Sequence, residues 1–406
     1  MKNTGLKKYV DKLLFILAIA VLAAAIIRFA TGKPVSPRTI TPNIVFTQWW
    51  ENYLEKDTLL ELLKEFKDAH GGIEITLRSV SYEDLHTELL DPNEDTAPGD
   101  IITLDLLWVP ELISREIIEL APDYSLEIPL LHFINVFYYN VELLKEAGFT
   151  RPPKDRSEFI NYAKALTNKE KNRWALTLGG NSTRGIYDDI FPWIWSAGAE
   201  LIRDGKPFVN TRPVIDSLSF LASLESGGLV VPGGSSADAE KKLDDFISGR
   251  AAFMIAPARD IEFVRKQMGE ETFGITTIPI PDNYAGKTFN TPAGWTLGIY
   301  TGSAYREEAC LFADFIAGKA QALSEKLMIT SGNSTPDPLY SKVWDIAIAA
   351  ESARDFTGLP WEKLEEIFNE ELSSLFAMQA SPAETAGAIQ KRWEEVILSM
   401  ASSDNN

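Results

Sequence analysis

The 406-residue sequence is poor in cysteine, histidine and positive charge, and each scarcity closes a class of function. Cys310 is the single cysteine, so no internal disulfide can form. Its setting, "EEACLFADFIAG", has the spacing of a buried helix, and the thiol reads as core rather than nucleophile. His70, His86 and His132 are isolated and lack metal-ligand spacing, so no metal site is expected. A formal charge of −19 gives no basic footprint for phosphates, which argues against a nucleic-acid partner. The chain also has no G-x-S-x-G elbow, no Walker loop and no G-x-G-x-x-G after a strand. No catalytic residue and no cofactor are assigned.

Long apolar runs are equally scarce. The one present is "LLFILAIAVLAAAII" (13–27), preceded by Lys2, Lys7, Lys8 and Lys12 and bounded by Arg28. A positive flank followed by an apolar core is the pattern of an export signal. The run is short against the roughly 20 residues of a membrane span. No cysteine follows it, which excludes a lipoprotein anchor. Two fates fit: cleavage near Ala30 and Gly32, or retention as an uncleaved anchor in the cytoplasmic membrane, the latter favoured. Either way the lysines stay inside, and everything beyond "TGKPVSPRT" is periplasmic or otherwise extracytoplasmic.

What is abundant is alternation of strand and helix. "NIVFTQ" reads as a strand, and "TLLELLKEFKDAH" as a helix with Leu59, Leu62, Leu63 and Phe66 on one face. Thr58 and Glu61 have capping-box spacing at its expected start. "IEITLRSV", a helix from about Ser81, and "DIITLD" continue a β-α-β-α-β rhythm, which predicts a parallel sheet with helices on both faces. The rhythm recurs after Asn140 through "WALTLGG", "AAFMIAP", "FGITTIPI" and "WTLGIY", and from Tyr305 the chain is mostly helical. The fold class expected is α/β, in two lobes, with crossings near 133–137, 279–290 and 334–338. The leader and linker take 1–42. The first lobe takes 43–135 and 281–334, the second 136–280 and the mainly helical 335–406.

In open parallel sheets, ligands bind beyond the carboxyl ends of strands. That rule singles out Gln48, Trp49, Trp50 and Glu51 after the first strand, and Asp105 after "DIITLD". It adds Trp193 and Trp195 in "YDDIFPWIWSAGAE", Arg259 after "MIAP", and Trp295 beside Gly294. Aromatic faces among carboxylates, amides and a guanidinium suit a sugar, whose C–H face lies on a ring and whose hydroxyls need planar partners. Each residue also has a plainer reading. Tryptophans are often core, and Glu51 or Asp105 could cap a helix. Trp49 and Trp50 are expected beside Asp105, facing Trp295 across a cleft, with one of the pair on ligand and the other packed in the lobe.

The chain resembles the extracellular solute-binding proteins of carbohydrate ABC importers, the family that includes maltose-binding protein. The resemblance rests on "IVFTQWWENYLEKDTLLELLKEFKDAHGGIEITLRSVSYEDL", "GDIITLDLLWVPELISREII" and "FYYNVELLKEAGFTRPPKDRSEFINYAKALT". "WIWSAGAELIRDGKPFVN", "FISGRAAFMIAPARDI", "AGWTLGIYTGSAYREEACLFADFI" and "SPAETAGAIQKRWEEV" continue it, in order, from about 43 to 398. It implies a type II-like periplasmic binding protein fold with hinge crossings and a ligand cleft. It also implies a carbohydrate ligand, permease subunits as partners, and a monomer that is not an enzyme. The family's contact positions match Gln48 to Glu51, Asp105 and Trp295. Three departures stand out: Thr47 where the family often has tryptophan, Pro257-Ala258-Arg259 for Gly-Pro-Trp, and "GNSTPDPLY" (332–340) for Leu-Pro-Thr-Arg. Arg259 brings a cation where a stacking face is usual, so an anionic sugar such as a phosphate or uronide is a further expectation. Two other readings stay open: a secreted carbohydrate-active enzyme, and a sensory or adhesion module on the same fold.

Overall fold

The computed structural model describes residues 41–403, apart from 53, 55, 92–96, 122–129, 181–183, 234–236, 291–292, 321, 324–336, 353–355 and 357–358. The apolar leader and most of the crossing near 334–338 therefore lie outside the described residues. Among the described residues, no helix is long and apolar enough to cross a membrane.

The first strands behave as the β-α-β rhythm requires. β1 (Asn43–Gln48) and β2 (Glu74–Ser79) run parallel, with Asn43 opposite Glu74 and Gln48 opposite Ser79. β3 (Ile101–Asp105) lies parallel on the other side of β1 and is buried throughout, as an inner parallel strand should be. The helix between β1 and β2, Lys56–Ala69, buries Leu59, Leu62 and Phe66 against the sheet. It begins two residues before the expected capping box, so Thr58 sits inside the helix rather than at its cap. The next helix, Tyr82–Leu90, does start at a cap: Ser81 Oγ accepts the Asp84 N–H at 3.0 Å.

β4 (Ile118–Leu120) and β5 (Leu131–Phe133) complete this part of the chain. β6 (Asn135–Asn140) then opens a second sheet with a single residue, Ile134, between the two. That sheet has the order β11-β6-β10-β7, built from β7 (Trp174–Leu176), β10 (Ala251–Pro257) and β11 (Phe273–Thr276). A small hairpin, β8 (Ile202–Arg203) with β9 (Lys206–Pro207), lies between β7 and β10 in sequence. After the short β12 (Phe289–Asn290), β13 (Ala293–Tyr300) returns to the first sheet. It inserts antiparallel between β3 and β4, and β5 also pairs with it. The parallel sheet thus has an antiparallel side.

Each sheet has its own core. Phe46, Leu85, Leu104, Leu297 and Phe312 belong to one, and Phe137, Phe159, Leu218, Phe253 and Trp393 to the other. Cys310 is half-buried on the helix Arg306–Gly318, and burial pushes its thiol up. The result is two α/β lobes with the chain passing between them more than once.

Candidate functional site

In the first lobe the strand ends converge on an aromatic panel. Trp295 on β13 stands opposite Asp105 on β3, so the two share one end of the sheet. Trp50 stacks on Trp295 at 6.3 Å and 19°. Trp49 meets Trp295 edge-on at 5.8 Å and Tyr82 edge-on at 5.2 Å, and tilts against Trp108 at 5.2 Å. Such offset and T-shaped contacts fix ring orientation beyond what apolar burial gives. The expectation that Trp49 and Trp50 face Trp295 across a cleft is therefore corrected. All three belong to one lobe, because β13 enters the same sheet as β1. Both Trp49 and Trp50 are fully buried.

Gln48 and Glu51 hold the turn beneath this panel. Gln48 Oε1 accepts the Glu51 N–H at 3.0 Å, and its Nε2 donates to Ser79 Oγ at 2.9 Å. Ser79 Oγ in turn donates to Glu51 Oε2 at 2.7 Å, tying the ends of β1 and β2 together. Thr47, where the family often has tryptophan, points elsewhere and donates to the Pro98 carbonyl at 2.6 Å.

The second lobe answers with charge. Arg184 follows the glycines that end the β7 segment, and its Nη1 lies 2.7 Å from both carboxylate oxygens of Asp105. On its other side, Nε and Nη2 donate to Asp188 at 3.1 and 3.2 Å. Asn135, the first residue of β6, donates to Asp188 Oδ1 at 2.9 Å. Asp105 accepts two further bonds, from Tyr82 Oη at 3.1 Å and the Leu107 N–H at 3.0 Å. This buried set links the lobes directly. Burial alone would pull Arg184 down, but Asp105 and Asp188 outweigh it and hold the guanidinium above its ordinary range. For Asp188 burial pushes up and Arg184 wins, keeping the carboxyl below its usual range. Burial, and then Asp105, raise the Tyr82 phenol. Two buried charges repay little net stability, whereas removing one partner typically costs about 3–5 kcal/mol.

Gly185 makes the arginine's position possible. A Cβ there would lie 2.4 Å from the Gly179 carbonyl oxygen and 2.6 Å from that of Gly180. The chain then winds as a π-helical turn, Ile186–Ile190, which brings Asp188 back onto Arg184. The neighbouring Asp189 pairs with buried Lys242 at 2.9 and 3.1 Å and accepts the Gly179 N–H at 3.0 Å. Burial nevertheless dominates and pushes the Asp189 carboxyl up to about 6.

The other predicted residues separate. Arg259 reaches from the end of β10 to the first-lobe aromatics, 4.2 Å from the Phe133 ring centre and 5.1 Å from that of Trp295. Its Nε lies 3.8 Å from Asp260, whose carboxyl burial pushes up. Trp193 packs instead among Phe137, Phe159 and Phe220 in the second-lobe core. Trp195 lies against Tyr187 and Phe191 in the same core. The residues that sequence reasoning passed over are Arg184, Asp188, Asn135 and Tyr82. A signal was present: "TRGIYDD" places an arginine and an aspartate four apart after a glycine-ended strand.

A second cross-lobe contact lies beside the first. His86, stacked on Trp108 at 4.6 Å, places Nε2 2.9 Å from Glu362 Oε1, on the second-lobe helix Trp361–Phe376. Glu111 of the first lobe pairs with Arg115 at 2.5 Å, and burial, followed by the charge of Glu362, raises its carboxyl.

Comparison with known proteins follows this architecture. Residues 52–323 match the family model described as bacterial extracellular solute-binding protein. A probable ABC transporter-binding protein of Deinococcus radiodurans is 22% identical over 324 residues, covering 70% of this chain and 76% of that protein. Among solved structures, the GacH receptor of Streptomyces glaucescens superposes with a TM-score of 0.73 at 18% identity, covering 88% of this chain and 99% of its own; it was determined unliganded and with acarbose. Maltose-bound MalE3 of T. maritima gives 0.69 at 17% identity, covering 87% and 99%. These likenesses carry the two-lobe periplasmic binding protein fold across nearly the whole described chain. The chain belongs to the bacterial extracellular solute-binding protein family.

Proposed function

We propose that this protein is the extracytoplasmic receptor of an ABC importer, and that it holds a carbohydrate between its lobes for delivery to permease subunits. The observation that carries this reading is the meeting of unlike surfaces: a tryptophan panel on one lobe, and an Arg184–Asp105 pair bridging to the other. A sugar uses both. Its C–H face lies on an aromatic ring, and its hydroxyls exchange bonds with a carboxylate acceptor and a guanidinium donor. Solved relatives bound to maltose, tagatose and mannitol support the ligand class. When the lobes part, Asp105 and Arg184 trade each other for water; when they close on ligand, both find partners again. Closure is thus favoured by whatever binds both lobes. The reading has no turnover step, and Gln48, Trp49, Trp50, Glu51, Asp105 and Trp295 serve as binding or supporting groups.

The protein works as a monomer outside the cytoplasm, kept at the membrane by its leader or released from it. Arg259 over Trp295 keeps an acidic sugar, a uronide or sugar phosphate, within the reading. Titration with neutral and acidic mono- and oligosaccharides, followed by tryptophan fluorescence, tests it. At least one sugar should give a saturable change, because the reading sets the ligand against the group of Trp49, Trp50 and Trp295. No change across the panel would overturn the proposal, and hydrolysis of a bound glycoside would replace it with an enzyme.

A further inference from the structure

The first-lobe groups assigned to the sugar already have occupants, and the occupants are protein. An ionised carboxylate offers about four acceptor sites, two on each oxygen. Asp105 Oδ1 accepts Arg184 Nη1 at 2.7 Å and the Leu107 N–H at 3.0 Å. Its Oδ2 accepts Arg184 Nη1 at 2.7 Å and Tyr82 Oη at 3.1 Å. Asp105 is fully buried, and these bonds fill its capacity. Leu107 and Tyr82 belong to the same lobe as Asp105 and stay with it when the lobes part. Arg184 comes from the other lobe, so the contact a cross-lobe ligand can take over is the one Arg184 makes. The aromatic side is covered in the same way. Arg259, just after β10, lies over the Trp295 ring at 5.1 Å and the Phe133 ring at 4.2 Å. A guanidinium so placed occupies an aromatic face of the kind on which a sugar's C–H side lies. Arg184 is held from behind by Asp188, and Asp188 by Asn135 at 2.9 Å. His86 and Glu362, 2.9 Å apart, add a third contact from lobe to lobe.

We infer that Arg184 and Arg259 are built-in competitors of the ligand: they latch the second lobe onto Asp105 and Trp295, and cargo binds only by displacing them. The inference rests on the proposed sugar site and adds a threshold to it. Every contact of the latch is supplied by the chain, so closure does not wait on ligand. Sugar binds the unlatched fraction, and the apparent affinity falls by that fraction. With about one molecule in ten unlatched, binding is about tenfold weaker than the site itself would give. A compound that bonds Asp105 alone, or stacks on Trp295 alone, leaves half of the latch made. One that does both replaces it whole. The latch therefore selects ligands that join a ring face to a hydroxyl rim over fragments that carry either.

The test is an interlobe distance measured by pulsed electron paramagnetic resonance on the full chain. Spin labels go at Lys64→Cys on the first lobe and Lys391→Cys on the second, both well exposed, in a Cys310→Ser background. Without added sugar, the otherwise wild-type protein should show mainly the short distance. Arg184→Ala should move most molecules to a longer one, and Arg259→Ala a smaller share. A wild type that is mostly long without sugar, or two variants that both keep the short distance, overturns the inference. If circular dichroism shows Arg184→Ala to be misfolded, the wild type and Arg259→Ala decide between these outcomes. A wild type that is long alone and short with saturating maltose, tagatose or mannitol sinks the latch and leaves the receptor reading standing. Variants that open as expected, while no protein responds to any of the three sugars in distance or tryptophan fluorescence, support the interlobe latch and sink the carbohydrate reading beneath it.

Discussion

The two lobes bring opposite chemistry to the place where they meet. The first offers rings: Trp49, Trp50, Trp108 and Trp295 lock one another edge to face, with Asp105 as the carboxylate at their side. The second offers ions: Arg184, Asp188, Asp189, Lys242 and Arg259 are held by one another or reach over those rings. Rings that lock one another hold their places without paired charges. Ionic groups depend on partners, so each of them is sensitive to loss of its neighbour. In the proposed receptor the rings would serve a ligand's flat face and the ions its hydroxyl rim.

The largest effects should come from the rings. Trp295→Ala and Trp193→Ala each empty a fully packed site and should cost about 3–5 kcal/mol by denaturant unfolding. The milder Trp295→Phe and Trp193→Phe then separate panel from core. The first should weaken sugar binding markedly and the second should leave it intact. Equal losses would erase the distinction drawn between the two tryptophans.

On the ionic side, Lys242→Met strands Asp189 and should destabilise by about 3–5 kcal/mol at neutral pH. The sign of its pH dependence follows from the raised carboxyl. A folded-state value of about 6 against an ordinary 3.8 means that the native state binds the extra proton. This group's contribution is full below 3.8 and is lost as pH rises through about 6. The Lys242→Met deficit should accordingly be smaller at pH 5 than at pH 8, as thermal melts at both would report. A smaller effect is expected for Arg259→Ala. Losing its contact with Phe133 and Trp295 should cost about 0.5–2 kcal/mol, whatever the ligand. A further and selective loss of acidic-sugar binding would sharpen the role of that cation.

How much of this was legible beforehand follows the range of the interactions. β1 and β3 were readable because local alternation and burial agree, and Gln48 to Glu51 and Asp105 follow from where those strands stop. The helix start near Ser81 is likewise local and is capped there, whereas the capping box expected at Thr58 lies inside its helix. β13 was recognisable as a strand, but nothing in "AGWTLGIY" tells that it inserts antiparallel beside β3, some 190 residues away in sequence. The expected first-lobe span of 281–334 already held Trp295, in conflict with the expectation that it faces Trp49 and Trp50; the pairing of β13 with β3 is what brings the three rings together. Arg184 was missed for a related reason. It sits in a glycine-rich stretch without period, and its position depends on the close packing of Gly185 against Gly179 and Gly180. Trp193 and Trp195 were picked out by their neighbourhood in the sequence, yet the short helix Phe191–Trp195 turns both into the second-lobe core.

The central claim is that ligand is held at the junction of Asp105, Arg184 and the tryptophan panel. A thermal-shift screen of mono- and oligosaccharides on wild type and Asp105→Ala tests it most directly. At least one sugar should raise the wild-type melting temperature, and the same sugar should leave Asp105→Ala unmoved although that variant remains folded. An equal shift in both proteins would contradict the account, since the ligand would then be held somewhere else.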